Sequence, residues 1–271
     1  MNHPTWTSLG LALATCACSS TSDSRPTAAQ YDDTAQAVAA TTASKRPSSA
    51  RAATANATDD SSGDLATMSD TLTLSAGALP LGMSLGTNGH FQGSHLGLAC
   101  DYALMCKSSS GASVSCGATA DQAAVEVAWS GTLSTGPVTA QVARTGNWTV
   151  TGLHSGVASF SGRSTFSFAA AIQSIFRPSA SAMYSFDASA TYHAVELDSA
   201  THEAVGGSID YDIHAEDEAT GGAGSASTAA SFEVHGELTF QANHAARLVL
   251  DGDQYYALDT ETGVVVRVAA P

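Results

Sequence analysis

Two runs decide how this chain is read: Tyr184-Ser-Phe-Asp-Ala-Ser-Ala-Thr-Tyr-His-Ala194 and Val205-Gly-Gly-Ser-Ile-Asp-Tyr-Asp-Ile-His214. In the first, the even positions Tyr184, Phe186, Ala188, Ala190, Tyr192 and Ala194 are apolar or small, while Ser185, Asp187, Ser189, Thr191 and His193 are polar. After Asp198-Ser-Ala-Thr-His202 the phase inverts, with Val205, Ile209, Tyr211 and Ile213 apolar and Ser208, Asp210, Asp212 and His214 polar. Strict period two on both sides of a turn predicts an antiparallel hairpin with one buried face. Parity then sets the register, because a one-residue slip would move every apolar side chain to the solvent side. Asp198 opposite Glu203 satisfies it, and so predicts Tyr192 facing Ile209, Ala190 facing Tyr211 and Asp187 facing His214.

The same alternation recurs along the chain. Val125, Val127, Trp129 and Leu133 share one phase, Val138, Ala140 and Val142 continue it, and Phe166, Phe168, Ala170 and Ile172 form another run. Phe232, Val234, Leu238 and Phe240 alternate with Glu233, His235, Glu237, Thr239 and Gln241. The end reads as a meander: Leu248-Val-Leu250, an Asp251-Gly252 turn that favours positive φ, Tyr255-Tyr-Ala-Leu258, then Val264 to Val268. Leu197-Asp-Ser-Ala-Thr-His202 repeats as Leu258-Asp-Thr-Glu-Thr-Gly263, which predicts two equivalent turns closed by aspartate, with His202 and Gly263 in the left-handed region. The expected fold is all-β: one large antiparallel meander sheet over 65–271, curled into a half-barrel, a barrel or a sandwich.

Composition agrees. Of 271 residues, 44% are hydrophobic and 13% charged, whereas a helical bundle would be rich in Leu, Glu and Lys. A net charge of −15, from 25 acids against 10 bases, offers no basic stripe for phosphates and excludes nucleic acid as a partner. Gly-x-Gly-x-x-Gly and P-loop patterns do not occur, and no cofactor is expected.

At the amino terminus, Leu9-Gly-Leu-Ala-Leu-Ala14 is an apolar core too short to span a bilayer, in the manner of an export signal over 1–18. Leu13-Ala-Thr-Cys16 resembles the lipobox of bacterial lipoproteins, which implies lipid attachment at Cys16, with Cys18 as the alternative. Residues 19–64 are rich in Ser, Thr and Ala with few apolar anchors, and are expected to be a disordered tether with a short helix over 28–41, capped by Thr27, as a lesser alternative. In Leu65 to Met105, Leu72-Thr-Leu-Ser reads as a strand. Cys106 and Cys116 bracket a polar loop, which in an exported chain predicts a disulfide and leaves Cys100 as an odd thiol.

Each candidate for chemistry has a structural alternative. Gly82-Met-Ser84-Leu-Gly86 matches the nucleophile-elbow pattern, but Pro80 before it and Thr87-Asn-Gly after it leave no helix to expose the hydroxyl. Asp210, Asp212 and His214 lie about 6.5–7 Å apart along one strand face and are the candidate cation ligands. The competing reading is a solvated face on which His214 pairs with Asp187. Trp129, Trp148, Phe166, Phe168, Tyr184, Phe186, Tyr192, Tyr211, Phe232 and Phe240 are read as core, or as the lining of a cavity for a lipophilic ligand.

From Tyr31-Asp-Asp through Trp129-Ser-Gly, Trp148-Thr-Val-Thr-Gly, Val205-Gly-Gly and Leu250-Asp-Gly, the chain resembles a group of exported bacterial proteins and lipoproteins without assigned function. That resemblance implies one domain plus a tether and transfers no catalytic residue. Tyr256-Ala-Leu-Asp-x-x-Thr-Gly is similar to a strand unit of quinone-dehydrogenase-type propellers, but a single good copy builds no propeller. The expectation is a non-enzymatic interaction or structural module of the cell envelope, anchored to the membrane by lipid, with envelope proteins as partners. A carrier of a lipophilic small molecule is the first alternative, and a metal-dependent envelope enzyme the second.

Overall fold

The computed structural model describes residues 25–44, 63–80, 82–95, 98–135, 138–173, 181–220 and 228–271. The predicted signal segment and Cys16 and Cys18 lie outside them, as does the Gly221 loop. Two helices, α1 (Ala28–Thr42) and α2 (Asp64–Ser75), precede thirteen strands. These are β1 (Met83–Leu85), β2 (Phe91–His95), β3 (Leu98–Lys107), β4 (Ser113–Val114), β5 (Gln122–Thr135), β6 (Val138–Thr151) and β7 (Val157–Gln173). They continue through β8 (Ser181–Asp198), β9 (Ala204–Thr220), β10 (Thr228–Phe240), β11 (Ala245–Leu250), β12 (Gln254–Asp259) and β13 (Val265–Arg267). All belong to one open antiparallel meander in chain order, except that β4 folds back on β3.

The hairpin register is as the alternation requires: Tyr192 pairs with Ile209, Ala190 with Tyr211 and Asp187 with His214. The Asp198 amide donates to the Glu203 carbonyl at 2.9 Å. Nearer the turn the alternation breaks. The register shifts between His193 and Glu196, Ala194 takes φ 48° and is exposed, and Val195 and Leu197 become the buried residues. Opposite them Gly207 takes φ 85°, so Ala204 is buried and the expected core residue Val205 is only half-buried. A β-bulge changes which parity faces inward without ending the strand, and it bends the sheet.

One face of the sheet is polar; the other packs on the two helices. Trp129, Trp148, Phe186, Tyr192, Tyr211, Phe232 and Phe240 are buried there, while Phe166, Phe168 and Tyr184 are half-buried against the same core. Each fully buried large side chain contributes roughly 1.5–3 kcal/mol. Over 25–44 the chain is a docked helix, the lesser alternative over 28–41, and not the solvated tether expected first. Thr27 and Gln30 form a reciprocal capping box, and Tyr31, Ala35, Val38 and Ala39 are buried. The expected strand at Leu72 is helical. Leu65, Met68 and Leu72 recur at helical spacing on the buried side of α2, and burial of that stripe overrides the strand preference of Thr71 and Thr73.

Candidate functional site

The polar face is not flat. Two concavities of ≈ 690 Å³ and ≈ 490 Å³ lie on it and share Thr145, Thr165, Ser189 and Asp212. Together they form one trough that crosses the sheet from β3 to β10, roughly 29 Å at the usual spacing of neighbouring strands. Its axis follows one row of paired residues: Asp101, Ala128, Thr145, Thr165, Ser189, Asp212 and His235. Small hydroxyl and alanine side chains make the floor because β5 to β8 alternate large apolar residues inward with Ala, Ser and Thr outward. Thr145 and Thr165 meet across the floor with their hydroxyls 2.7 Å apart.

Carboxylate–imidazole pairs stand at both ends. At one, the Asp101 carboxylate accepts from Gln92 at 2.5 Å and pairs with His90 Nδ1 at 2.7 Å. Partial burial works to raise the Asp101 carboxyl, but these hydrogen bonds outweigh it and hold it below the usual carboxylate value. At the other, His235 Nδ1 lies 2.7 Å from Asp212, and His193 Nε2 lies 2.8 Å from Asp210 just outside the trough. Arg163 and Asn147 line the side nearer β5.

The candidate cation ligands are therefore separated. Asp210 faces His193, Asp212 faces His235, and His214 Nε2 is 3.3 Å from Glu216. Among the described residues, no three His, Cys, Asp or Glu side chains are grouped to hold a metal ion. Asp187 and His214 are register partners as expected, yet the imidazole turns along its own strand to Glu216 instead of across to Asp187. Parity determines which residues are neighbours; it does not choose between two carboxylates within reach of one ring. Ser84 lies in the three-residue strand β1, paired with β2 and followed by a turn, so its hydroxyl has no nucleophile-elbow setting.

Cys106 and Cys116 form a disulfide with Cα atoms 5.2 Å apart, pinning the β3–β4 hairpin. Cys100 is a free, buried thiol, and burial pushes its pKa up, so it is a packing residue and not a reactive one.

The polar cluster that the alternation does not reveal lies on the other face. Arg144 of β6 sits at an inward position among apolar residues and is 3% exposed. It donates to Asp64 at 2.5 Å and to the Thr41 carbonyl at 3.0 Å, and stacks over Phe166 at 5.3 Å. Tyr211 reaches Asp64 at 3.4 Å and Thr42 at 2.9 Å, and Tyr192 reaches Ser164 at 2.6 Å. This network ties the C-terminus of α1 and the first residue of α2 to the middle of the sheet. Its only sequence signal is a lone arginine in phase with Val142 and Trp148.

No family model matches the chain, and neither does any curated protein or solved structure. The class is thus given by the fold itself: an open all-antiparallel β protein whose apolar face is filled by its own two helices and whose polar face carries a trough. Among the described residues, no helix is long and apolar enough to cross a membrane.

Proposed function

We propose that the protein is a non-enzymatic module of the bacterial cell envelope, held to the membrane by lipid on Cys16, or on Cys18, with the polar trough as its recognition surface. The observation that supports this is the division of labour between the faces. The apolar face is committed to α1 and α2 through the buried Arg144–Asp64 pair, while the trough is continuous, open and lined by hydrogen-bonding groups. Two of its carboxylates, Asp101 and Asp212, are each matched to an imidazole in separate pairs, and among the described residues no nucleophile and base converge on one point there. A partner recognised there is extended and polar, an envelope protein segment in preference to a small apolar molecule.

The test places a photo-crosslinking residue at Thr165, on the trough floor, and at Thr149, on the same face outside it, in intact cells. An adduct formed from Thr165 and not from Thr149 supports recognition in the trough; equal or absent labelling at the two overturns it. Incorporation of labelled palmitate that is lost in Cys16→Ser or in Cys18→Ser tests the anchor. The carrier reading rests on the half-buried rings of Phe166, Phe168 and Tyr184 at one end of the apolar face. Native mass spectrometry showing a bound lipid would put it in place of the module reading.

A further inference from the structure

The open sheet has two edges, and they are built differently. At one, β1 is a three-residue strand between Gly82 and Gly86, preceded by Pro80, the usual devices that blunt an edge. At the other, β13 is just as short, but it carries no proline and its one charge, Arg267, turns to the helix side. Val264, Val266 and Val268 are 53%, 61% and 42% exposed on its polar-face side. The strand is also held in place: Arg267 donates to Asp32 at 3.1 Å, to the Ala28 carbonyl at 2.9 Å and to Tyr256 at 2.9 Å on the opposite face. An edge that is already ordered loses little entropy on pairing.

The direction of its backbone groups follows from the ladder. The Val268 amide donates to the Tyr255 carbonyl, and the Asp259 amide to the Val264 carbonyl, so the even-numbered residues of β13 bond inward to β12. In an antiparallel ladder the intervening residues, Val265 and Arg267, then turn their N–H and C=O groups outward. Among the described residues, no strand pairs with that side.

We propose that this edge pairs with the same edge of a second copy of the chain, antiparallel, on a two-fold axis through Val266. That register opposes Val265 to Arg267 of the other copy in both directions, so all four outward backbone groups on each strand are satisfied. It also opposes Val266 to itself and Val264 to Val268 in the close, non-hydrogen-bonded positions, where cross-strand β-branched pairs interact best. A contact that is self-complementary in backbone and side chains closes as a two-fold dimer. With a net charge of −15, two copies repel over most of their surface, and the uncharged outer side of β13 is where they can approach. The proposal is independent of the trough, which lies in the centre of the sheet.

The experiment is sedimentation velocity of the full chain over a concentration series, beside Val266→Lys, with oxidative crosslinking of Val266→Cys. The expected result is a monomer–dimer equilibrium that Val266→Lys weakens by about tenfold or more, as like charges directly opposite one another require, with thermal stability unchanged. Val266→Cys should give a covalent dimer on a non-reducing gel beyond that of the parent. Val264→Cys, facing Val268 and not itself, should give none. A parent that stays monomeric, a dimer untouched by Val266→Lys, a ladder of higher oligomers from β13 meeting β1, or equal crosslinking at both positions would each overturn the proposal.

Discussion

Arg144 and Asp64 stand 80 residues apart in the chain and 2.5 Å apart in the fold. Both are buried, so their attraction is offset by the cost of removing two charges from water, and the pair serves to place α2 more than to stabilise the sheet. Removing one partner leaves the other charged and unmatched. Arg144→Ala and Asp64→Ala are each expected to lower stability by about 3–5 kcal/mol in urea unfolding, and the combined Arg144→Met, Asp64→Leu change to cost less than either. His202 is a second residue with a definite sign. Burial lowers its pKa from the ordinary 6.5, and its Nδ1 lies 2.6 Å from Ser69 of α2. The unfolded chain therefore binds the proton more readily than the folded one. His202 contributes stability above pH 6.5 that is lost as pH falls through the folded value. Asparagine tolerates the φ of 60° at this position, so His202→Asn should flatten the fall in denaturation midpoint between about pH 7 and about pH 5.

Among the elements, the strands are legible, the first helix is legible only as a lesser alternative, and the second is not. Period two in β8, β9 and β10 leaves one register that buries Tyr192, Ile209 and Tyr211, and the ladder adopts it. The bulge at Ala194 escapes that reading because it comes from backbone geometry, with φ 48° at a residue that keeps the alternation; on the partner strand the only trace is the Gly206-Gly207 pair. Gly207 is where the geometry is decided, since a Cβ there would meet the Ala194 carbonyl. Gly207→Ala combines that collision with positive φ and should lower stability by about 1–3 kcal/mol, read as a drop in melting temperature without loss of β signal by circular dichroism. α1 is readable from Thr27 as its cap but ranks below a tether because alanine and threonine signal weakly: its anchors are a tyrosine, a valine and small residues that bury well only against a ready surface. α2 was hidden because its threonines favour strand while its leucine and methionine spacing favours helix. The candidate site was legible only in part. The polar residues of β8 to β10 were named, but the trough runs along one row of small outward residues across seven strands, and that row appears only once the register of all of them is known.

At the scale of the whole molecule, the question is whether the apolar face behaves as one closed body. Tyr102 of β3 and the neighbouring Tyr192 of β8 and Tyr211 of β9 report on it from two parts of the sheet. Burial first, and then the nearby carboxylates Asp70 or Asp64, hold all three phenols protonated well above their ordinary value of 10.0. The unfolded chain releases these protons near pH 10, so above that point it binds fewer protons than the folded chain and stability declines as pH rises. Because the three rings belong to one core cluster with both helices packed on it, they should ionise together and only as the sheet opens. An alkaline titration followed by phenolate absorbance and by near-ultraviolet circular dichroism is expected to give a late absorbance step coincident with the loss of tertiary signal. If Tyr192→Phe and Tyr211→Phe each reduce that step, the late phenols are those of the core. Gradual ionisation of the buried tyrosines ahead of the structural transition would mean that solvent reaches the apolar face. That outcome would put the carrier reading ahead of the module, because a face open to hydroxide is also open to a ligand.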